Sequence, residues 1–363
     1  MSTGEHAGET CPTQFDFGIR LGLVLIMETA CLSALSVTGL LVYIGYSAAT
    51  IRRNAVKKWT VTTHVHWYFL SLLVSEMIQA IGGIINVKWV VEAEVTEGNV
   101  CTAQGVLKQF GDVGVAFASL AIALHTFFAL VFRWRPKPSS KLPLLVVAGI
   151  WITIALIIGI SFATHRHKIY YGDTQYWCWI TSDYPVQRIV LEYLWMWITA
   201  LLNFALYIPI SLVIICDATV IVHGWRIRFV RNPPSYHREN GREKAIALKM
   251  LVYPAVYTIT VLPIAITRWL GFDSNGCSRV PWPATVFADL VFASSGFLNV
   301  VLYSFTRPTL RPQRDLHRER SSLMLTSHPP PFDTTNDTIK HDASEDTSPS
   351  NRSLGRASDI SLP

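Results

Sequence analysis

Charged side chains are scarce. Asp, Glu, Lys and Arg make up 15% of the 363 residues, against about 25% in an ordinary soluble domain. That deficit argues against a water-soluble enzyme. A disordered protein, a disulfide-stapled scaffold and a nucleic-acid binder drop out on the same composition, because half of the chain is hydrophobic and only six residues are cysteine. Metal-hydrolase chemistry lacks its spacing: His64-Val-His66 and His165-Arg-His167 stand where a His-Glu-x-x-His helix would be needed. The last apolar segment, Pro281–Thr306, has no lysine to carry a retinal Schiff base. Gln109-Phe-Gly-Asp112 misses the Gly-x-Gly-Asp pattern of an intramembrane aspartyl protease. No metal or cofactor is therefore expected.

Apolar blocks fill the space that charge leaves. Thr29–Ile51, Val113–Phe132, Leu142–Thr164 and Tyr193–Cys216 are uncharged, and Met250–Thr267 continues through Trp269. His64–Val87 and Pro281–Thr306 carry one acid each, Glu76 and Asp289. A helix needs about 20 such residues to cross a bilayer. With the first span extended back to Gly18, which takes in Glu28 as a helix-contact residue, the reading is an all-α membrane protein with a seven-helix bundle. The expected divisions are an outer segment 1–17, the bundle 18–306 and a tail 307–363. Orientation follows the excess of Lys and Arg in cytoplasmic loops. The first, third and fifth connections hold fifteen cations, including Arg133, Arg135, Arg226, Arg228 and Arg242, against eight on the opposite side. The amino terminus is thus expected outside and the carboxyl tail inside, at the plasma membrane. The first sixteen residues have no basic residue, so the first span is expected to serve as its own uncleaved signal. Beyond Arg320, fourteen of forty-three residues are Ser or Thr, which predicts a disordered, phosphorylatable tail.

Four of the cysteines, Cys11, Cys101, Cys178 and Cys277, map to the outer side, where oxidation is allowed. A Cys101–Cys178 bond would draw the loop Tyr170–Arg188 across the mouth of the bundle. Cys11 and Cys277 are left to pair, although sequence alone does not fix connectivity. Trp177 and Trp179 flank the anchored cysteine and are expected to form a lid. Tyr170 and Tyr171 fit a lid and a headgroup-depth aromatic belt equally.

Several motifs together carry a resemblance: Cys101-Thr-Ala-Gln104-Gly105, Gly111-Asp112-Val-Gly114, Ala121-Ile-Ala-Leu-His125-Thr126, Tyr176-Trp177-Cys178-Trp179-Ile180, Glu192-Tyr193, Tyr253-Pro254 and Gly296-Phe-Leu-Asn299-Val-Val-Leu-Tyr303. Over Gly18–Pro308 the chain resembles the fungal branch of cyclic-AMP-receptor-like G-protein-coupled receptors, related to slime-mould cyclic AMP receptors and fungal glucose-sensing receptors. The resemblance implies a receptor that senses a small extracellular ligand and activates a heterotrimeric G protein through its Gα subunit, with no chemistry of its own. It also implies kinase and arrestin-like contacts at the tail. The chain departs from the rhodopsin-like pattern, with His125-Thr126-Phe127 in place of Asp-Arg-Tyr and Val in place of Pro after Asn299.

Ionisable groups within the bilayer are costly and point to function. Glu192, Asp289 and Asp112 fall in the outer half and are the expected ligand pocket. Lys108 and Arg268, near the rim, are expected to attract an anionic ligand. Glu76 with Ser295 and Asn299 lies deeper and resembles a sodium-linked switch, joined by Tyr303 and His125. Arg133, Arg135, Arg226, Arg228 and Arg242 are the expected G-protein contacts, although attraction to anionic lipid explains the same charge. A seven-span transporter of a small polar solute is the alternative, since polar stripes can line a pathway.

Overall fold

The computed structural model describes residues 14–53, 65–132, 134, 141–165, 169–215, 218–223, 226–231, 237–270 and 280–306. The chain separates into Met1–Pro308, which holds every described element, and Thr309–Pro363, none of whose residues is described. The first unit is a bundle of helices. Its elements are α1 (Phe17–Arg53), α2 (Val65–Ile84), α3 (Asn86–Glu92), α4 (Asn99–Val131) and α5 (Lys141–Thr164). A short hairpin follows, β1 (Tyr171–Asp173) and β2 (Cys178–Ile180). Then come α6 (Pro185–Arg188), a π-helical turn (Ile189–Tyr193) and α7 (Leu194–Ile215). A second hairpin, β3 (Ala218–His223) and β4 (Arg226–Arg231), precedes α8 (His237–Leu270), α9 (Trp282–Ala293) and α10 (Ser295–Thr306).

Among the described residues, six segments are long and apolar enough to span a membrane: Phe17–Thr50, Val65–Glu92, Asn99–Ala129, Lys141–Thr164, Pro185–Ile210 and Trp282–Phe305. The protein is therefore a multi-pass, membrane-embedded helical bundle. The expected sixth span, Met250–Thr267, lies inside α8 and is not among these six, which are counted over the described residues alone. α8 nevertheless packs against α4, α7, α9 and α10. It runs helical through both prolines, as α7 does through Pro209.

α4 is the central post and packs against α2, α5, α7 and α8. Glycine permits its closest approach to α2. A Cβ at Gly111 would lie 2.6 Å from Gln79 Cβ and 2.7 Å from its backbone nitrogen. The lipid-facing surfaces are apolar, and α5 shows the pattern most plainly: only Pro143, Ile154, Ile158 and Ser161 are buried. With no hydrophobic drive between helices inside lipid, close backbone contact and interhelical hydrogen bonds hold such a bundle.

Two spans are broken where polar groups take over backbone duties. The second turns at Ile85 into α3, whose Asn86 is held by Gln104. α3 ends on Ala93, which is left-handed at φ 58° and whose carbonyl accepts a hydrogen bond from Phe15 N–H. The last span breaks at Ser294, and the Phe297 N–H at the start of α10 donates to Ser33 Oγ of α1 at 3.1 Å.

Three expectations are corrected. Glu28 is not a helix-contact residue but stands exposed on α1. The stretch from Arg226, expected as a basic loop, holds strand β4, paired antiparallel to β3, and the beginning of α8. Lys108 and Arg268, counted among the outer cations, have buried side chains, and Arg188 is half-buried.

Candidate functional site

One end of the bundle is closed by the β1–β2 hairpin. Its register pairs Tyr171 with Ile180 and Asp173 with Cys178. The Cys101–Cys178 disulfide fixes it to the first turn of α4. Tyr170, Tyr171, Tyr176, Trp177 and Trp179 are all buried and form one cluster with Phe15, Leu23, Trp89 and Tyr193. They therefore belong to the lid, and the headgroup-belt alternative for Tyr170 and Tyr171 falls away. Glycine again permits contact, because a Cβ at Gly105 would strike the Tyr171 ring. The Tyr171 hydroxyl donates to Gln109 Oε1 at 2.5 Å.

Gln104 is the anchor beneath the lid. Its Oε1 accepts from Trp89 Nε1 at 2.7 Å and from the Cys178 backbone N–H at 2.8 Å. Its Nε2 donates to Asn86 Oδ1 at 2.7 Å and to the Gly82 carbonyl at 3.2 Å. One amide thus ties α2, α3 and β2 to α4. At the hairpin tip Asp173 Oδ1 accepts from the Gln175 N–H at 2.8 Å. Asp173 stands exposed at the hairpin tip, yet partial desolvation there pushes its carboxyl above the usual carboxylate range; the Gln175 N–H opposes this and the Glu97 charge adds to it.

Below the lid lies a buried ion-pair network. Arg268 Nη1 of α8 is 3.1 Å from Glu192 Oε1 on the π-helical turn and 3.4 Å from Asp112 Oδ2 on α4. Glu192 Oε2 accepts from Trp179 Nε1 at 2.6 Å. The Trp179 ring lies between two guanidinium groups, 5.1 Å from Arg188 and 5.4 Å from Arg268. Asp112 Oδ1 accepts from Gln79 Nε2 of α2 at 3.0 Å.

Glu76, Ser295 and Asn299 do come together. Ser295 Oγ donates to Glu76 Oε2 at 2.6 Å, and Asn299 Nδ2 donates to Glu76 Oε1 at 2.8 Å. Ser295 Oγ is also 3.5 Å from Gln79 Oε1. Polar contacts thus run from Trp179 of the lid through Glu192, Arg268, Asp112 and Gln79 to Ser295 of the last span. Tyr303 stacks on Phe69 at 4.8 Å, near Tyr253. His125 is placed apart from the Glu76 group, against Tyr68 and Trp134.

A cavity of about 20 Å³ sits within this arrangement. Lys108, Asp112, Arg268 and Asp289 line it, and so do Glu76 and Gln79. Asp112 and Asp289 of the expected pocket and Glu76 of the expected switch therefore border one cavity, whereas Glu192, Ser295 and Asn299 are not among its lining residues. Lys108 and Arg268 are not on an open rim. Lys108 is 6% exposed with its Nζ 4.4 Å from the Trp177 ring centre, and Arg268 is already matched by two carboxylates.

Arg133, Arg135, Cys11 and Cys277 lie outside the described residues. Arg226 and Arg228 fall on β4 and Arg242 on α8 by backbone position. Sequence reasoning did not assign site roles to Gln79, Gln104, Gln109 and Arg188. The available signal was an uncharged amide inside an apolar helix, which needs partners that lipid does not supply. No group of His, Cys, Asp and Glu suited to a metal ion occurs among the described residues. No protein-family model matches the chain.

Proposed function

We propose that the protein is a seven-span G-protein-coupled receptor of the plasma membrane, similar to the fungal cyclic-AMP-receptor-like family. In this reading it senses a small extracellular ligand beneath the β1–β2 lid. α8 supplies the remaining span through Met250–Thr267. The excess of cations on the first, third and fifth connections supports an outer amino terminus and a cytoplasmic tail, and the Cys101–Cys178 bond fits an oxidising outer face.

The observation that carries the reading is the continuous polar path from Trp179 to Ser295, built by side chains of six separate elements. A ligand that alters one end changes the partners of every helix along it. That is the kind of bistable coupling a receptor needs, with binding biasing one arrangement over another. Glu76, Ser295, Asn299, Tyr303 and His125 are the switch side of this scheme. The basic inner segments with Arg133, Arg135, Arg226, Arg228 and Arg242 meet the Gα subunit, and the Ser/Thr-rich tail takes kinase and arrestin-like contacts. The protein then promotes nucleotide exchange on Gα without catalysing a reaction itself.

The test is ligand-stimulated GTP exchange in membranes containing this chain and a panel of Gα subunits. Stimulation lost in Glu76→Ala while the protein still folds is the expected outcome. Vectorial uptake of a solute into vesicles, unaccompanied by nucleotide exchange on any Gα, would refute the receptor reading in favour of a transporter.

A further inference from the structure

The cavity presents two opposite charges, Lys108 and Asp289, that make no direct ion pair with each other or with any other described residue. Among the described residues, no carboxylate oxygen lies within 4.0 Å of the Lys108 ammonium, whose neighbour is the Trp177 ring. Asp289 is 3% exposed, and its Oδ2 has no hydrogen-bond partner among the described residues. Both line the same cavity, from α4 and α9 respectively. The other charged groups there are engaged: Arg268 with Asp112 and Glu192, and Glu76 with Ser295 and Asn299.

We propose that this cavity binds a small zwitterion of the amino-acid type, with its carboxylate on Lys108 and its ammonium on Asp289. The inference rests on the receptor reading of the same site and names its ligand class. A simple anion would satisfy Lys108 and meet repulsion from Asp289, Asp112, Glu192 and Glu76. A simple cation would satisfy Asp289 and meet repulsion from Lys108. A neutral polyol would hydrogen-bond to both yet bring no counter-charge to either, and a buried pair held apart recovers less of its desolvation cost than one bridged by charge. A zwitterion brings one charge of each sign, joined by one or two carbons, to a site that offers one of each.

The cavity's present volume is room for about one water, so such a ligand is admitted only when the lid yields. Lys108 provides the coupling. An incoming carboxylate draws its ammonium away from the Trp177 ring, and the lid loses that cation–π contact as the ligand gains an ion pair. Filling the site and loosening the hairpin are then one event.

Thermal-shift and equilibrium binding measurements on the purified full chain test this with glycine, β-alanine, L-alanine and L-leucine. N-acetylglycine and glycinamide each lack one charge, and glucose and cyclic AMP serve as uncharged and anionic comparisons. The expected result is stabilisation by at least one zwitterion, with binding about tenfold or more weaker for its singly charged derivatives. Asp289→Asn is expected to weaken the zwitterion by a similar factor. The ligand-side comparison requires no variant, so it decides the matter even if Asp289→Asn folds poorly. Equal binding of glycine and glycinamide, or stabilisation by glucose or cyclic AMP with none by any zwitterion, would overturn the inference. Zwitterion binding without Gα activation would count against the receptor reading alone. Gα activation by a sugar with no zwitterion bound would count against this inference alone.

Discussion

Replacing Arg268 by Met would strand two carboxylates in a buried part of the bundle. In the parent, one guanidinium nitrogen serves both Asp112 and Glu192, at 3.4 and 3.1 Å, and all three side chains are 7% exposed or less. What remains after the substitution is a single neutral donor for each acid, Gln79 Nε2 for Asp112 and Trp179 Nε1 for Glu192. Removing one member of a buried pair typically costs about 3–5 kcal/mol, because the survivor keeps its desolvation penalty. The upper half of that range is expected here, since two acids lose the same partner. Replacing all members by neutral groups of similar shape is commonly near neutral, so Arg268→Met combined with Asp112→Asn and Glu192→Gln should regain most of the loss. Reversible unfolding of the purified protein in mixed micelles, titrated with a denaturing detergent, measures all the variants on one scale. A cost below about 1 kcal/mol for Arg268→Met is the range of an exposed pair, and it would refute the claim of a buried, mutually dependent network. A triple variant no more stable than the single one would refute it equally.

The disulfide closes a separation of 77 residues, so Cys178→Ser should destabilise the protein by about 4 kcal/mol in the chain-entropy account. A melting curve with and without reductant checks this, and the reductant should have little effect on the variant. Gly111→Ala places a methyl group against the backbone of Gln79, and overpacking of that kind costs about 1–3 kcal/mol; unfolding in micelles should show it, whereas Gly149→Ala, where open space surrounds the position, should be nearly silent. The lid should also respond to pH. The Asp173 carboxyl is raised mainly by partial desolvation, so the folded hairpin binds a proton more tightly than the unfolded chain does. Its stability therefore increases as pH falls through the raised value and levels off below the ordinary carboxylate value. Hydrogen exchange of the β1 and β2 amides should slow as pH drops through that window, after correction for intrinsic rates, and Asp173→Asn should flatten the response.

Much of the scaffold was legible because lipid imposes simple rules. An uncharged run of helical length has one stable arrangement in a bilayer, so the ends of α1 and α5 fall within a residue or two of their sequence assignments. The Glu76, Ser295 and Asn299 group was also legible, since an acid and its donors inside the membrane must find one another. Depth was not. Lys108 and Arg268 looked like rim residues because they sit near span ends, yet the hairpin folds down over them and turns the rim into an interior. Sequence periodicity describes one helix at a time and says nothing about a loop that enters from above. The β3–β4 hairpin was missed for a different reason: its cations suggested a solvated loop, while the alternation of Val220, Val222, Ile227 and Phe229 with other residues carried the strand signal. The break at Ile85 had a local marker in Gly82-Gly83, whereas the partner that meets it, Gln104 of α4 on the Gly82 carbonyl and Asn86, had none.

The π-helical turn at Ile189–Tyr193 holds more residues in its winding than an ordinary α-turn would. Each residue of an α-helix advances the winding by about 100°, so the surplus sets the rotational phase between Pro185–Arg188 and everything that follows. Glu192 points at Arg268 with that phase in place. Losing a single codon within the turn would rotate the acid out of the network while preserving every other residue and the length of chain needed to cross the bilayer. Descendants of this gene could thus gain or shed the ion pair, and with it the polar link from Trp179 to Arg268, through an indel too small to disturb membrane insertion.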